Sequence, residues 1–376
     1  MIETEVFFNA LVSAGVRRFS GVPDSLLKSF CAFVTDNVPE DNHLITANEG
    51  SAIAFAVGQY LATSEVSLVY LQNSGIGNAI NPLLSLADRK VYGIPMVLLV
   101  GWRGEPGVKD EPQHIQQGAV MEELLSSCEL PYETLSAENA DNVENVVENS
   151  VARAKAEQRP VVILVKKNTF SPYSLQNKSQ DEPLLPTRED AIKSIVGASS
   201  PESVFVSTTG MASRELFEIR VSSQQPHNND FLTVGSMGHA NMIALGIAQN
   251  THKKVVCLDG DGASLMHMGN LAILGQSGAR NLTHIVLNNA AHDSVGGQPT
   301  CATKIDLAAI AAAVGYSSTV SLDCLSSIDP TIELLDSKQG PHFIEVRVKK
   351  GARKDLGRPT VPPIENRLQF MDSLRA

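Results

Sequence analysis

The sequence predicts an α/β protein of two doubly wound domains, each on a parallel sheet, and three observations carry that prediction. Short continuous apolar runs end in Gly, Asn or Ser and lead into helix-like segments, which is how parallel strands covered on both faces look. Runs and helical segments alternate along the chain instead of clustering by type. The two halves also repeat one plan, and 376 residues are long for one core but ordinary for two.

In the first half, strands are expected at residues 67–72, 96–100 and 161–165; in the second, at 203–206, 254–258, 284–287 and 343–348. A helix of small residues precedes one strand in each half, at 50–58 and at 239–246. Those strands run into glycine-containing turns, Asn73-Ser74-Gly75-Ile76-Gly77 and Asp259-Gly260-Asp261-Gly262. Each half closes on a strand introduced by Pro and running into lysines, 160–167 and 341–350. The match is one of pattern and not of identity, a weak internal repeat. Residues 171–188, rich in Ser, Pro, Gln and Asp and without periodicity, read as a linker. The expected layout is a first domain over 1–170, the linker, a second domain over 189–350, and a tail over 351–376. That tail, with Arg353, Lys354, Arg358 and three prolines, reads as a loop that packs late or covers a substrate.

Composition narrows the partners. A net charge of -11 argues against nucleic acid, which needs a basic face. Apolar stretches such as residues 94–100 are too short to cross a bilayer. Five scattered cysteines with no C-x-x-C pair point to a reducing cytosol, without disulfides or a zinc knuckle. The acidic start, Met1-Ile2-Glu3-Thr4-Glu5, argues against a leader, so a cytoplasmic protein is expected. An anionic substrate would need local positive groups in its site.

The chemistry begins at Gly260-Asp261-Gly262. Glycine on both sides of Asp261 lets backbone N–H groups approach phosphate oxygens, and the following helix offers its N-terminus to negative charge. The carboxylate would hold a magnesium ion, which needs hard oxygen ligands. The next strand delivers Asn288-Asn289 to the same edge of a parallel sheet, where ligands bind. An amide oxygen and a nearby carbonyl would complete the protein's share of the coordination. Taken singly, the two motifs are a tight turn and a strand end; on successive strands they read as a metal and diphosphate cradle.

On these motifs the chain resembles the thiamine diphosphate-dependent decarboxylases and carboligases, whose signature is G-D-G followed after a spacer by N-N. The resemblance implies a pyrimidine-binding domain followed by a diphosphate-binding domain, without the central third domain of the pyruvate decarboxylases. It implies thiamine diphosphate and Mg2+ as cofactors, with Asp261, Asn289 and the carbonyl of Ala291 as metal ligands. Gly260, Gly262 and Ala263 would lie against the diphosphate, with Thr209 and Gly210 on its other side. In Gly235-Ser236-Met237-Gly238, the Gly235 carbonyl would accept from the 4-amino group and Met237 would wedge between the two rings. Glu49, in Asn48-Glu49-Gly50, would bond N1′ of the aminopyrimidine and favour the tautomer that deprotonates C2; a pKa raised by burial would help it. The bland reading of Glu49 is a helix-start acid that complements the dipole. In the family this Glu and the diphosphate motif belong to different subunits, which implies at least a homodimer with sites at the interface.

Residues 21–28, 48–50, 101–107, 110–114 and 207–216 resemble the phosphonopyruvate decarboxylases within that family. The stretch from Asn288 to Thr300 carries the likeness past the cofactor signature into residues that should face substrate. The implied reaction converts 3-phosphonopyruvate, a small 2-oxo acid, to phosphonoacetaldehyde and carbon dioxide in phosphonate biosynthesis. Sulfopyruvate decarboxylases tend to divide the halves between chains, whereas here they are fused. Asp24 and His114 match the family's proton-handling positions, and His292 is a candidate donor to substrate. Asp24 also suits a helix N-cap. Val295 stands where pyruvate decarboxylases carry a proton-handling Glu. Ser25, Arg103, Lys109, Gln298 and Thr300 are all candidates to hold the phosphonate, and the sequence does not choose among them. Alternatives are a sulfopyruvate decarboxylase, a thiamine-dependent carboligase, a catalytically silent binding subunit, or a nicotinamide oxidoreductase. The last fits poorly, because residues 73–78 depart from G-x-G-x-x-G. Retention of Glu49 with Asp261 and Asn289 argues against a silent subunit.

Overall fold

A computed structural model describes residues 1–176 and 184–375. The chain divides into two compact units, one of residues 1–178 with 292–298, the other of residues 179–291 with 299–376. Part of the expected linker, residues 177–183, lies outside the described residues.

The first unit holds six strands: β1 (Phe19–Gly21), β2 (His43–Ile45), β3 (Ser67–Gln72), β4 (Met96–Gly101), β5 (Tyr132–Leu135) and β6 (Pro160–Val165). They form one wholly parallel sheet in the order β2-β1-β3-β4-β6-β5. Helices cover both faces, so successive strand residues are buried on opposite sides. Leu68, Tyr70, Val97 and Leu99 pack with Phe7, Leu11, Phe30 and Val147. Val69, Leu71, Leu98 and Val100 pack with Ile53, Val57, Ile76 and Leu125. That double burial is why these strands read as unbroken apolar runs.

The second unit repeats the scheme with β7 (Val204–Ser207), β8 (Asp230–Leu232), β9 (Val255–Gly260), β10 (Leu282–Asn288), β11 (Ser318–Leu322) and β12 (His342–Arg347). Its parallel sheet runs β11-β12-β10-β9-β7-β8. Numbered within its own unit, each sheet has the order 2-1-3-4-6-5, so the weak repeat of the sequence is a repeat of topology. In each, the strand order reverses between the first strand and the third, and ligand crevices form beyond the carboxyl ends of strands at such a point. In the first unit that point lies between β1 and β3; in the second it lies between β7 and β9.

The tail differs from its reading as a loop. Residues Pro363–Arg375 form a helix that buries Asn366, Phe370 and Ser373. Asn366 donates from Nδ2 to the Asp230 carbonyl (2.7 Å) and accepts from the Leu232 N–H (3.2 Å). These bonds cover β8, the edge strand of its sheet, which would otherwise present free backbone groups. No helix among the described residues is long and apolar enough to cross a membrane.

Candidate active site

In the second unit, the reversal point gathers the predicted diphosphate residues. Beyond β7, Thr209 donates its hydroxyl to the Val234 carbonyl (2.9 Å), and Gly210 adopts φ +97°, a conformation that favours glycine. Beyond β9, Asp261 opens the helix Asp261–Met266, with Gly260 before it and Gly262 and Ala263 buried within it. A Cβ built on Gly210 or Gly260 meets nothing within 4 Å, so both turns leave open space against the backbone. Thr208 Oγ1 and Ser264 Oγ are buried with no partner among the described residues. These open glycines and unpartnered hydroxyls fit a diphosphate.

Asp261 is 2% exposed, and burial pushes its carboxyl up to about 6 against the hydroxyl of Thr300 and the N–H groups of Gly262 and Asn289. Its partners are neutral donors, and among the described residues no cationic side chain pairs with it. A buried acid of this kind fits a divalent cation. β10 ends at Asn288, whose Nδ2 donates to Glu345 (2.6 Å), and the buried Asn289 follows, its Oδ1 accepting from Ala291 N–H (3.1 Å). Ala290 takes φ +55°, turning the chain sharply before Ala291. Thr300, offered by the sequence as a phosphonate holder, instead commits its hydroxyl to Asp261 Oδ2.

The segment 235–238 is a tight turn: Ser236 has φ +53° and Gly238 φ +85°. Met237 is only partly buried and belongs to no hydrophobic core cluster, unlike a core-filling Met.

In the first unit, Glu49 starts the helix Glu49–Thr63 after the N-cap Asn48. It is no exposed dipole partner. Its side chain is buried, Asn78 Nδ2 donates to its Oε2 (2.8 Å), and burial raises its pKa against that hydrogen bond. Gly75 makes the room: a Cβ there would lie 2.5 Å from Glu49 Oε1. Gly75→Ala is therefore expected to displace the carboxyl and lower kcat by about 10²-fold, while cofactor affinity changes far less. Steady-state kinetics with a cofactor titration checks this; unchanged kcat would contradict it.

A second cluster sits beyond the ends of β1 and β4. Asp24 Oδ1 accepts from Leu26 (3.0 Å) and Leu27 (3.2 Å) N–H groups in the bend before the helix Lys28–Asn37, whose N-cap is Leu27 and not Asp24, while Oδ2 is buried without a partner among the described residues. Desolvation pushes this acid from 3.8 to about 6, against those N–H groups and the charge of Arg103. Arg103 is held in place by a two-pronged pair with Asp110, and its NH1 donates to Ser25 Oγ (2.7 Å). Asn73 grips the Arg103 peptide from both sides, Nδ2 to its carbonyl (2.8 Å) and Oδ1 to its N–H (3.2 Å). His114 lies on the helix Pro112–Ala119, buried, with Nδ1 unpartnered among the described residues; burial and then Arg103 lower its pKa to about 4, so it is neutral near pH 7. Lys109 is exposed on the loop bordering a cavity of about 430 Å³ between Gly104 and Ala119.

The raised Asp24 pKa has a sign. The folded state binds this proton more tightly than the unfolded chain, so the stabilisation is present at low pH and lost as pH rises through about 6. Asp24→Asn is thus expected to raise the melting temperature of the apoprotein at about pH 8 but not at about pH 4. Thermal scans at both pH values check this; an equal shift at both would contradict it.

The stretch after Asn289 folds back on itself. Ala291 bridges Pro299, and His292 N–H donates to the Gln298 carbonyl (2.8 Å). Burial lowers the His292 pKa to about 4. Gln298 is fully buried, with both amide atoms unpartnered among the described residues.

Sequence reasoning missed the supports Asn73, Asn78 and Asp110, and the buried Asp259. A signal existed for Asp259, since a carboxylate that ends an apolar run must be paired. Nothing in the spacing links Asn78 to Glu49 or Asn73 to Arg103.

The comparisons with known proteins follow the same division. Residues 3–125 match the N-terminal TPP binding domain of the thiamine pyrophosphate enzymes, and residues 208–346 match their C-terminal TPP binding domain. The chain is 33% identical to a phosphonopyruvate decarboxylase of Streptomyces viridochromogenes, over 96% of this chain and 92% of that one. It is 32% identical to a phosphonopyruvate decarboxylase of Streptomyces hygroscopicus, over 99% and 94%. A sulfopyruvate decarboxylase of Methanosarcina acetivorans is 26% identical over 98% of this chain and 97% of its own. That full-length match removes the fusion of the halves as a mark against sulfopyruvate. Two matched cofactor-binding domains, and two decarboxylases above 30% identity along nearly the whole length, show that this chain belongs to the thiamine diphosphate-dependent decarboxylase family.

Proposed function

We propose that this decarboxylase acts on 3-phosphonopyruvate, releasing carbon dioxide and phosphonoacetaldehyde, as a step in phosphonate biosynthesis. The observation that carries the substrate is the near full-length likeness to two phosphonopyruvate decarboxylases, at 33% and 32%, against 26% for the sulfopyruvate enzyme. The first unit supports an anionic substrate, because Arg103 is fixed by Asp110 and Asn73 beside Ser25, a ready charge-assisted contact for a phosphonate.

Bound thiamine diphosphate supplies the carbon nucleophile and the electron sink that loss of carbon dioxide from a 2-oxo acid requires. The chain's own residues bind and orient it. Asp261, Asn289 and the Ala291 carbonyl would hold Mg2+; Thr209, Gly210, Gly260, Gly262 and Ala263 would face the diphosphate. The Gly235 carbonyl and Met237 would position the aminopyrimidine, and Glu49 would hold a proton at N1′, for which its raised pKa suits it. Asp24 and His114, one an acid near 6 and the other a neutral imidazole, would hold and deliver the proton that the product carbon takes up. His292 and Gln298 would donate to the substrate from the folded-back segment, and Lys109 would add positive charge near Arg103. Association as at least a homodimer and a cytoplasmic setting, consistent with five free thiols, belong to the same proposal.

Product analysis tests the reaction. With phosphonopyruvate, thiamine diphosphate and Mg2+, the expected products are phosphonoacetaldehyde and equimolar carbon dioxide, unchanged when an acceptor aldehyde is added. A carbon–carbon ligation product as the main outcome would replace this reading with a carboligase.

A further inference from the structure

Asp259 ends an apolar run and His284 interrupts another, and both are fully buried on the paired strands β9 and β10. A buried carboxylate persists only when its oxygens are satisfied. Here Oδ1 accepts from the Gly260 N–H (2.9 Å), and Oδ2 accepts from Asn241 Nδ2 (3.3 Å) and His284 Nε2 (3.1 Å). Tyr316, whose hydroxyl burial keeps protonated, lies 3.1 Å from His284 Nδ1. The ligand atoms of Cys257, Asp259 and His284 lie within 4.8 Å of one another. This is not a soft metal centre, since the carboxylate is fully engaged and burial pushes the Cys257 thiol well up.

The network continues outward. Asn241 Oδ1 accepts from Asn270 Nδ2 (3.1 Å), and the same Nδ2 donates to the Gly238 carbonyl (3.3 Å). One end is therefore the peptide of Gly260 in the Gly-Asp-Gly turn; the other is the end of the 235–238 turn. Gly238 has little slack, since a Cβ there would lie 2.6 Å from His267.

We infer that Asp259, Asn241 and Asn270 are positioning residues that lock the 235–238 turn to the Gly260-Asp261-Gly262 turn. The spacing between the aminopyrimidine and diphosphate ends of the cofactor is then set by the protein before binding. This rests on the reading that thiamine diphosphate occupies these two turns. Asn270 acts on the aminopyrimidine end alone, whereas Asp259 acts on both.

Calorimetric titration of the apoprotein with two probes, Mg2+–thiamine diphosphate and Mg2+–pyrophosphate, separates the ends. Asn270→Ala and the isosteric Asn270→Asp, which lacks the donor, are both expected to weaken thiamine diphosphate about tenfold. Mg2+–pyrophosphate binding should stay unchanged. Asp259→Asn, which sets an amide donor against those of Asn241 and His284, should weaken both probes. Equal weakening of both probes by the Asn270 variants, or an Asn270→Asp protein that binds like the original, overturns the inference. Asp259→Asn binding both probes normally removes Asp259 from it. Unaltered protein that binds pyrophosphate but not thiamine diphosphate would instead remove the cofactor reading beneath it.

Discussion

Glu49→Gln is expected to leave thiamine diphosphate bound and to lower decarboxylation by about 10²- to 10⁴-fold, the range that a positioned proton-transfer group contributes. Gln keeps the length of the side chain, and its amide oxygen can still accept from Asn78, so the pocket between Gly75 and Asn78 stays filled. What it loses is the proton. Glu49 is buried and its pKa raised, the state in which a carboxyl can hold a proton against a ring nitrogen and release it again. An amide does neither. Cofactor affinity from calorimetry and kcat from carbon dioxide release give the two readouts; full kcat in the Glu49→Gln variant would remove Glu49 from the reaction.

Asp261→Ala carries the other large effect, loss of metal and cofactor together. The carboxylate is the anionic member of the proposed ligand set, and Thr300 with the N–H groups of Gly262 and Asn289 converges on it. Truncation removes the ligand and leaves those donors facing a void. The expected fall in Mg2+-dependent thiamine diphosphate affinity is at least about 10²-fold, beyond what supporting residues around a metal usually cost. Magnesium-dependent binding at the original affinity would contradict the assignment of Asp261.

The fold was legible where burial on both faces wrote long apolar runs. Residues 67–72 are β3 as expected, and the runs at 254–258 and 284–287 coincide with β9 and β10, to within one residue at the start of the first and two at the start of the second. β1, β2 and β8 went unread because they are three residues long, and β5 and β11 because they mix polar and half-buried positions. The final helix was hidden for a related reason, since only Asn366, Phe370 and Ser373 of its thirteen residues are buried. Two of those three are polar, so no apolar stripe marks the helix.

The candidate site divides in the same way. Gly260-Asp261-Gly262 and Asn288-Asn289 were legible because close backbone approach and hard-oxygen ligation demand particular residues at adjoining strand ends. Their supports were not. Asn78 reaches Glu49 from another helix, Asn73 reaches Arg103 from the neighbouring strand end, and Asn270 reaches Gly238 across a turn. Sheet order brings these pairs together, and no local spacing encodes them. Thr300 shows the converse: its place in a substrate-facing stretch suggested a phosphonate contact, yet its hydroxyl serves Asp261.

The most direct test of the account is carbon dioxide release from phosphonopyruvate, sulfopyruvate and pyruvate at matched concentrations, with thiamine diphosphate and Mg2+ present. The highest kcat/KM is expected for phosphonopyruvate, with pyruvate, which has no second anion for Arg103, far below. A higher kcat/KM for sulfopyruvate or for pyruvate would contradict it.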